Sequence, residues 1–172
     1  MRHYYEGNTY LMPESAVPVL HATSHMQEML GPKEFARTFA NLVASIDRSG
    51  LKPSSFAIAG TSGSLLGGAL SLHYKKPLFV VHQTATKTTP AGVQGYYNVP
   101  DYVIVDDLMF SRKTAENIES AMRTQFPECK LKGLFLYLEE ENSLGKSTTL
   151  HGVKYPVHQT FIPPKPVPEL GL

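Results

Sequence analysis

Short apolar runs and longer stretches of helical spacing divide the chain between them. Four runs read as buried strands: Phe56 to Ala59, Pro77 to Val81, Tyr102 to Val105 and Leu131 to Leu138. Three stretches read as helices. From Pro32 to Ile46, Phe35, Phe39, Leu42, Val43 and Ile46 share one face, proline stands at a tolerated first position, and Gly50 ends the element. Leu65 to Leu72 follows a turn at Gly60-Thr61-Ser62-Gly63-Ser64. Lys113 to Gln125 turns Ala115, Ile118 and Met122 inward and stops before Pro127. His82 to Gly95 is too polar and too broken by proline and glycine for a helix, and is longer than an ordinary connection. Residues 1–32 have no sustained period, a further strand is expected around Val153 to Phe161, and the proline-rich end reads as extended. Alternating strand and helix predicts an α/β fold with a mostly parallel twisted sheet and helices on both faces.

Composition narrows the class. At 172 residues the chain suits one domain with its own core. A net charge of +1 argues against a nucleic-acid or membrane-surface binder, which needs a basic excess. No apolar run approaches the roughly 20 residues that cross a bilayer. The single cysteine, Cys129, and an amino terminus without an apolar core predict a reduced, cytoplasmic protein. No Asp or Glu stands between Asp47 and Asp101, whereas Arg48, Lys52, Lys75, Lys76 and Lys87 do, so this half is expected to meet an anion.

Candidate chemistry concentrates where Val103-Ile104-Val105 ends in Asp106-Asp107 and passes through Leu108-Met109-Phe110-Ser111-Arg112-Lys113-Thr114 into a helix. A strand end facing a helix start forms the crevice in which open parallel sheets bind ligands, and helix amides favour an anion there. The turn from Gly60 to Ser64 is a second such place. Its glycines do not follow the dinucleotide spacing, and no acid ends the next strand, so a nicotinamide cofactor is disfavoured. Gly145-Lys146-Ser147 resembles the end of a P-loop, but Glu140 occupies the position of its first glycine. His21 and His25 have a metal-ligand spacing but no third ligand nearby, and Cys129 has no base beside it. The adjacency and late position of the two aspartates exclude a haloacid-dehalogenase-type phosphatase or a receiver domain.

Val103 to Thr114 resembles the phosphoribosyl-pyrophosphate (PRPP) motif of type I phosphoribosyltransferases, in which apolar residues precede two acids and a hydroxyl-rich phosphate loop. The order of the remaining parts is similar from Phe56 to Leu138. Gly60 to Ser64 takes the place of the pyrophosphate loop, Val81-His82-Gln83 that of a basic strand end, and Thr84 to Gly95 that of a flexible catalytic loop.

The resemblance implies a type I phosphoribosyltransferase-like domain over 1–172, with a core of about 33–140 and a small hood from segments of about 1–32 and 141–172. It implies transfer of a phosphoribosyl group from PRPP to a nitrogenous base, with Mg²⁺ as cofactor and a homodimeric assembly. Asp106 and Asp107 would hold the ribose hydroxyls and Mg²⁺. Phe110, Ser111, Arg112, Lys113 and Thr114 would surround the 5'-phosphate, with Phe110 able to stack on the base. Thr61, Ser62 and Gly63 would face pyrophosphate, and Lys87 would neutralise the leaving group. Arg112 stands where the family carries glycine, and His82 and Gln83 replace two basic residues. Those three favour an alternative, a non-catalytic relative that binds PRPP or a nucleotide as a regulator or assembly protein; Asp106, Asp107 and Thr114 favour the enzyme.

Overall fold

The computed structural model describes residues 31–82, 92–95, 98–107, 112–138 and 146–160. It has two compact units, Met1–Arg37 and Thr38–Leu172. Of the first, the described part is the opening of helix α1 (Pro32–Arg48), where Arg37 and Glu34 form a 2.6 Å ion pair one turn apart. The second carries the rest of α1 and, in order, β1 (Phe56–Ala59), α2 (Gly60–Tyr74), β2 (Leu78–His82), β3 (Gly92–Gln94), β4 (Asp101–Asp106), α3 (Lys113–Gln125), β5 (Lys130–Leu136), β6 (Ser147–Leu150) and β7 (Val153–Gln159).

The seven strands form one sheet in the order β3-β2-β1-β4-β5-β7-β6. Strands β2, β1, β4, β5 and β7 run parallel, and β3 and β6 pair antiparallel at the two edges. The protein is therefore α/β with a mostly parallel sheet, as the alternation of its elements predicts. Strands β6 and β7 come from the segment of about 141–172.

Strand β1 is buried at every position, which requires cover on both faces. Successive side chains point to opposite faces. Ile58 meets α2, where a Cβ added at Gly67 would fall 2.8 Å from Ile58 Cγ2, so only glycine lets the helix close this far. Ala57 and Ala59 join Ile104, Leu134, Leu136 and Val157 in a buried cluster with Ala115, Ile118 and Met122 of α3 on the other face. Each of the larger aliphatic chains contributes about 1.5–3 kcal/mol by burial.

Three expectations shift. The inward line of α1 is Thr38, Leu42, Ser45 and Ile46, while Phe39 and Val43 are half-buried. Helix α2 begins at Gly60, directly after β1, so the hydroxyl-rich turn is its first turn. Within the long polar stretch, Gly92–Gln94 pairs with β2, Val93 opposite Val81. Among the described residues no helix is long and apolar enough to cross a membrane.

Candidate functional site

Parallel strands bring their carboxyl ends to one edge, and the connections decide where that edge opens. From β1 the chain crosses through α2 to β2 on one side, and it later returns to β4 on the other. The point of reversal lies between β1 and β4. Both half-sites read from the sequence border it: Thr61, Ser62 and Gly63 follow β1, Asp106 ends β4 and Asp107 follows it. Ala57 is in register with Ile104, so the two strands end together. A Cβ at Gly63 would stand 3.0 Å from Ile58 Cβ and 3.4 Å from the Val105 carbonyl oxygen, which puts the first turn of α2 directly over the end of β4.

That first turn offers backbone donors. The opening amides of a helix lack partners within it and carry the positive end of its dipole. No acidic side chain stands in the turn, and the N-cap Ala59 supplies no side-chain acceptor. Ser64 turns its hydroxyl back onto the Gly60 carbonyl at 2.7 Å, while Thr61 is exposed and Ser62 half-buried. The glycine at 63 is buried and serves packing with its Cα, leaving only its backbone for a ligand.

Asp106 is 8 % exposed, and its Oδ1 accepts the Asp107 amide at 3.0 Å. Burial first, and then the neighbouring Asp107 carboxylate, push the Asp106 carboxyl up to about 8. A cation beside the pair would reverse that balance. Among the described residues no cluster of three or more His, Cys, Asp or Glu could enclose a metal. Two carboxylates at an open strand end nevertheless fit Mg²⁺, which is commonly held by one or two carboxylates together with waters and substrate phosphates.

Helix α3 opens at Arg112, whose carbonyl accepts the Glu116 amide at 2.8 Å. The backbone at Arg112 has φ −63 and ψ −5, right-handed helical values, so no glycine is needed there. Arg112 and Lys113 are exposed and Thr114 half-buried at the start of this helix. Lys87, Phe110 and Ser111 lie outside the described residues, as do Gln83, His21 and His25. At the end of β2, His82 Nε2 lies 3.0 Å from Gln94 Oε1.

Among the described residues, the basic side chains of the acid-free half do not gather here. Arg48 ends α1, Lys52 precedes β1, and Lys75 and Lys76 follow α2, all at the amino-terminal edge of the sheet, with Lys76 Nζ bonded to the Pro53 carbonyl. Lysines and arginines there complement the carboxyl ends of two helices.

One residue of the crevice was missed. Tyr137, just past β5, is fully buried and donates from Oη to the Ser62 carbonyl at 2.7 Å. It sits inside an apolar run, so only its partner, distant in sequence, distinguishes it from an ordinary core tyrosine.

No protein-family model matches the sequence, and no curated protein matches it. Solved structures do match in fold. Adenine phosphoribosyltransferase from Saccharomyces cerevisiae, solved with adenine and an imino-altritol bisphosphate, superimposes with a TM-score of 0.57 at 15 % identity, covering 94 % of this chain and 93 % of that one. Another adenine phosphoribosyltransferase gives 0.54 at 15 % identity, over 76 % and 82 % of the two chains. Orotate phosphoribosyltransferase from Aeropyrum pernix gives 0.52 at 18 % identity over 64 % of this chain, which spans 62 % of that protein's length. The likeness is one of fold, and the mostly parallel sheet flanked by helices is the architecture these proteins share with this chain.

Proposed function

We propose that the chain is a phosphoribosyltransferase that moves the 5-phosphoribosyl group of PRPP to a nitrogenous base and releases pyrophosphate, in nucleotide synthesis or salvage. The carrying observation is the meeting of two half-sites at the topological switch point. The acidic end of β4 suits a ribose and its cation, and the acid-free first turn of α2 beside it suits a pyrophosphate.

In this reading Asp106 and Asp107 accept the ribose hydroxyls and would hold Mg²⁺. Bound Mg²⁺ would supply charge neutralisation for the pyrophosphate oxygens. The start of α3, with Arg112, Lys113 and Thr114 preceded by Phe110 and Ser111, receives the 5'-phosphate, where helix amides and a guanidinium fork both favour an anion. Thr61, Ser62 and the Gly63 amide bind the departing pyrophosphate, and Lys87 adds a positive charge. Breaking the bond to the anomeric carbon leaves an electron-poor ribosyl centre that the base nitrogen attacks, so holding both reactants in line and excluding water supply the rate. The protein is proposed to act in the cytoplasm as a homodimer.

A second reading has one specific support. His82, at a strand end that this resemblance would make basic, is engaged by Gln94. A chain that binds PRPP without reacting it would serve as a regulator or assembly protein. Calorimetry with PRPP and Mg²⁺ tests both readings. Binding is expected, and Asp106→Asn with Asp107→Asn should weaken it at least about tenfold, roughly 1.4 kcal/mol. No binding by the wild type would overturn both. Pyrophosphate release during a screen of nucleobases separates them, because the regulator releases none.

A further inference from the structure

Helix α2 opens without the usual supports. Ala59 cannot cap an amide, Gly60 has φ 67, and no acidic residue stands in the turn. A glycine there adds backbone freedom, and uncapped first turns fray. Yet the amides of this turn are the ones that a pyrophosphate would use.

Among the described residues, a side chain from elsewhere in the fold bonds to the turn. Tyr137 Oη donates to the Ser62 carbonyl at 2.7 Å, and the backbone amide of the same residue donates to the Asp106 carbonyl at 3.2 Å. Tyr137 thus bonds both half-sites at once, reaching across the end of β4 from β5. Its ring is fully buried. The peptide joining residues 62 and 63 is planar and trans, so fixing the Ser62 carbonyl also fixes the direction of the Gly63 amide.

We infer that Tyr137 is a positioning residue, a strut that sets the anion-binding first turn of α2 at a fixed separation from the acidic end of β4. The inference rests on the phosphoribosyltransferase reading, and its test uses the two halves of the donor separately: pyrophosphate with Mg²⁺, and ribose 5-phosphate. Tyr137→Phe removes one hydroxyl from a ring of unchanged shape. It is expected to weaken pyrophosphate about fivefold, the worth of one hydrogen bond, and to leave ribose 5-phosphate within about twofold. The KM for PRPP should rise by the same factor as the pyrophosphate constant. Equal weakening of both ligands would show general loosening and overturn the inference, as would unchanged pyrophosphate binding.

Hydrogen exchange separates this inference from the functional reading. Tyr137→Phe, and independently Tyr137→Met, should speed exchange at residues 62–66 without changing α3. If the wild type binds no PRPP but exchange responds in this way, the functional reading fails and the strut stands. If PRPP binds and exchange is unchanged, the strut fails and the function stands.

Discussion

Lys132 Nζ lies 2.8 Å from Asp101 Oδ2, across the pair formed by β5 and β4. The register of these strands slips between Tyr102 and Val103, which leaves Lys132 as the extra residue of β5 and turns it toward the acid. The Ser54 amide bonds the other carboxylate oxygen at 2.7 Å. Burial acts to raise the Asp101 carboxyl, but the bonds from Lys132 and Ser54 outweigh it and hold the group below its ordinary range. A depressed carboxyl contributes stability that is present above its unfolded value of about 4 and lost as pH falls through the folded value. Asp101→Ala is therefore expected to cost about 2 kcal/mol in urea unfolding at pH 7, and the gap to wild type should narrow below about pH 4. A gap independent of pH would contradict the assignment.

Two neighbouring glycines of α2 should respond in opposite directions. A Cβ at Gly67 meets Ile58 Cγ2 at 2.8 Å, a stiff β-branched methyl, whereas a Cβ at Gly68 meets nothing within 4 Å. Gly67→Ala should destabilise by about 1–3 kcal/mol through overpacking. Gly68→Ala should stabilise by about 0.5–1 kcal/mol, because alanine costs less backbone entropy in a helix. Combining Gly67→Ala with Ile58→Ala should cost less than the sum of the two. Denaturant midpoints read all three.

At Arg112 the backbone conformation is open to any residue, so a return to glycine restores nothing. Arg112→Gly and Arg112→Ala are both expected to weaken ribose 5-phosphate binding about tenfold, roughly 1.4 kcal/mol, through loss of the guanidinium. Glycine should also lower the melting temperature relative to alanine. Tighter binding by the glycine variant would show that the side chain obstructs the phosphate.

Cys129 offers a probe of folding. The thiol is 7 % exposed, and burial pushes it up to about 11. Alkylation by iodoacetamide at pH 8 should be at least about a hundredfold slower in the native protein than in urea, since the thiolate is the reacting form. Rapid native labelling would show that the start of β5 opens readily.

Much of the fold was legible because buried parallel strands leave continuous apolar runs, and β1, β2, β4 and β5 all stand within a few residues of where those runs predict them. Helix α3 has its predicted bounds, since amphipathic spacing and Pro127 mark it. Helix α2 was harder. It is apolar or small almost throughout, so periodicity could not place its start, and Gly60 to Ser64 read as a turn. The edge strands β3 and β6 are short and polar, and pairing partners rather than their own residues define them. At the candidate site, adjacency in sequence singled out Asp106 and Asp107, which the structure places at and just past the end of β4. Tyr137 was hidden because its role depends on Ser62, 75 residues away. A charge pattern along the chain likewise does not say at which end of a strand the charges fall, and Arg48, Lys52, Lys75 and Lys76 stand at the amino-terminal edge.

The antiparallel strands at the two sheet edges also constrain assembly. Strand β3 has three residues and β6 has four, so each outer edge presents few unpaired backbone groups among the described residues. Short edges are poor templates for another strand. Addition of a strand from a second copy at either edge is therefore disfavoured, and concentrating the protein should bring no gain in β-sheet signal.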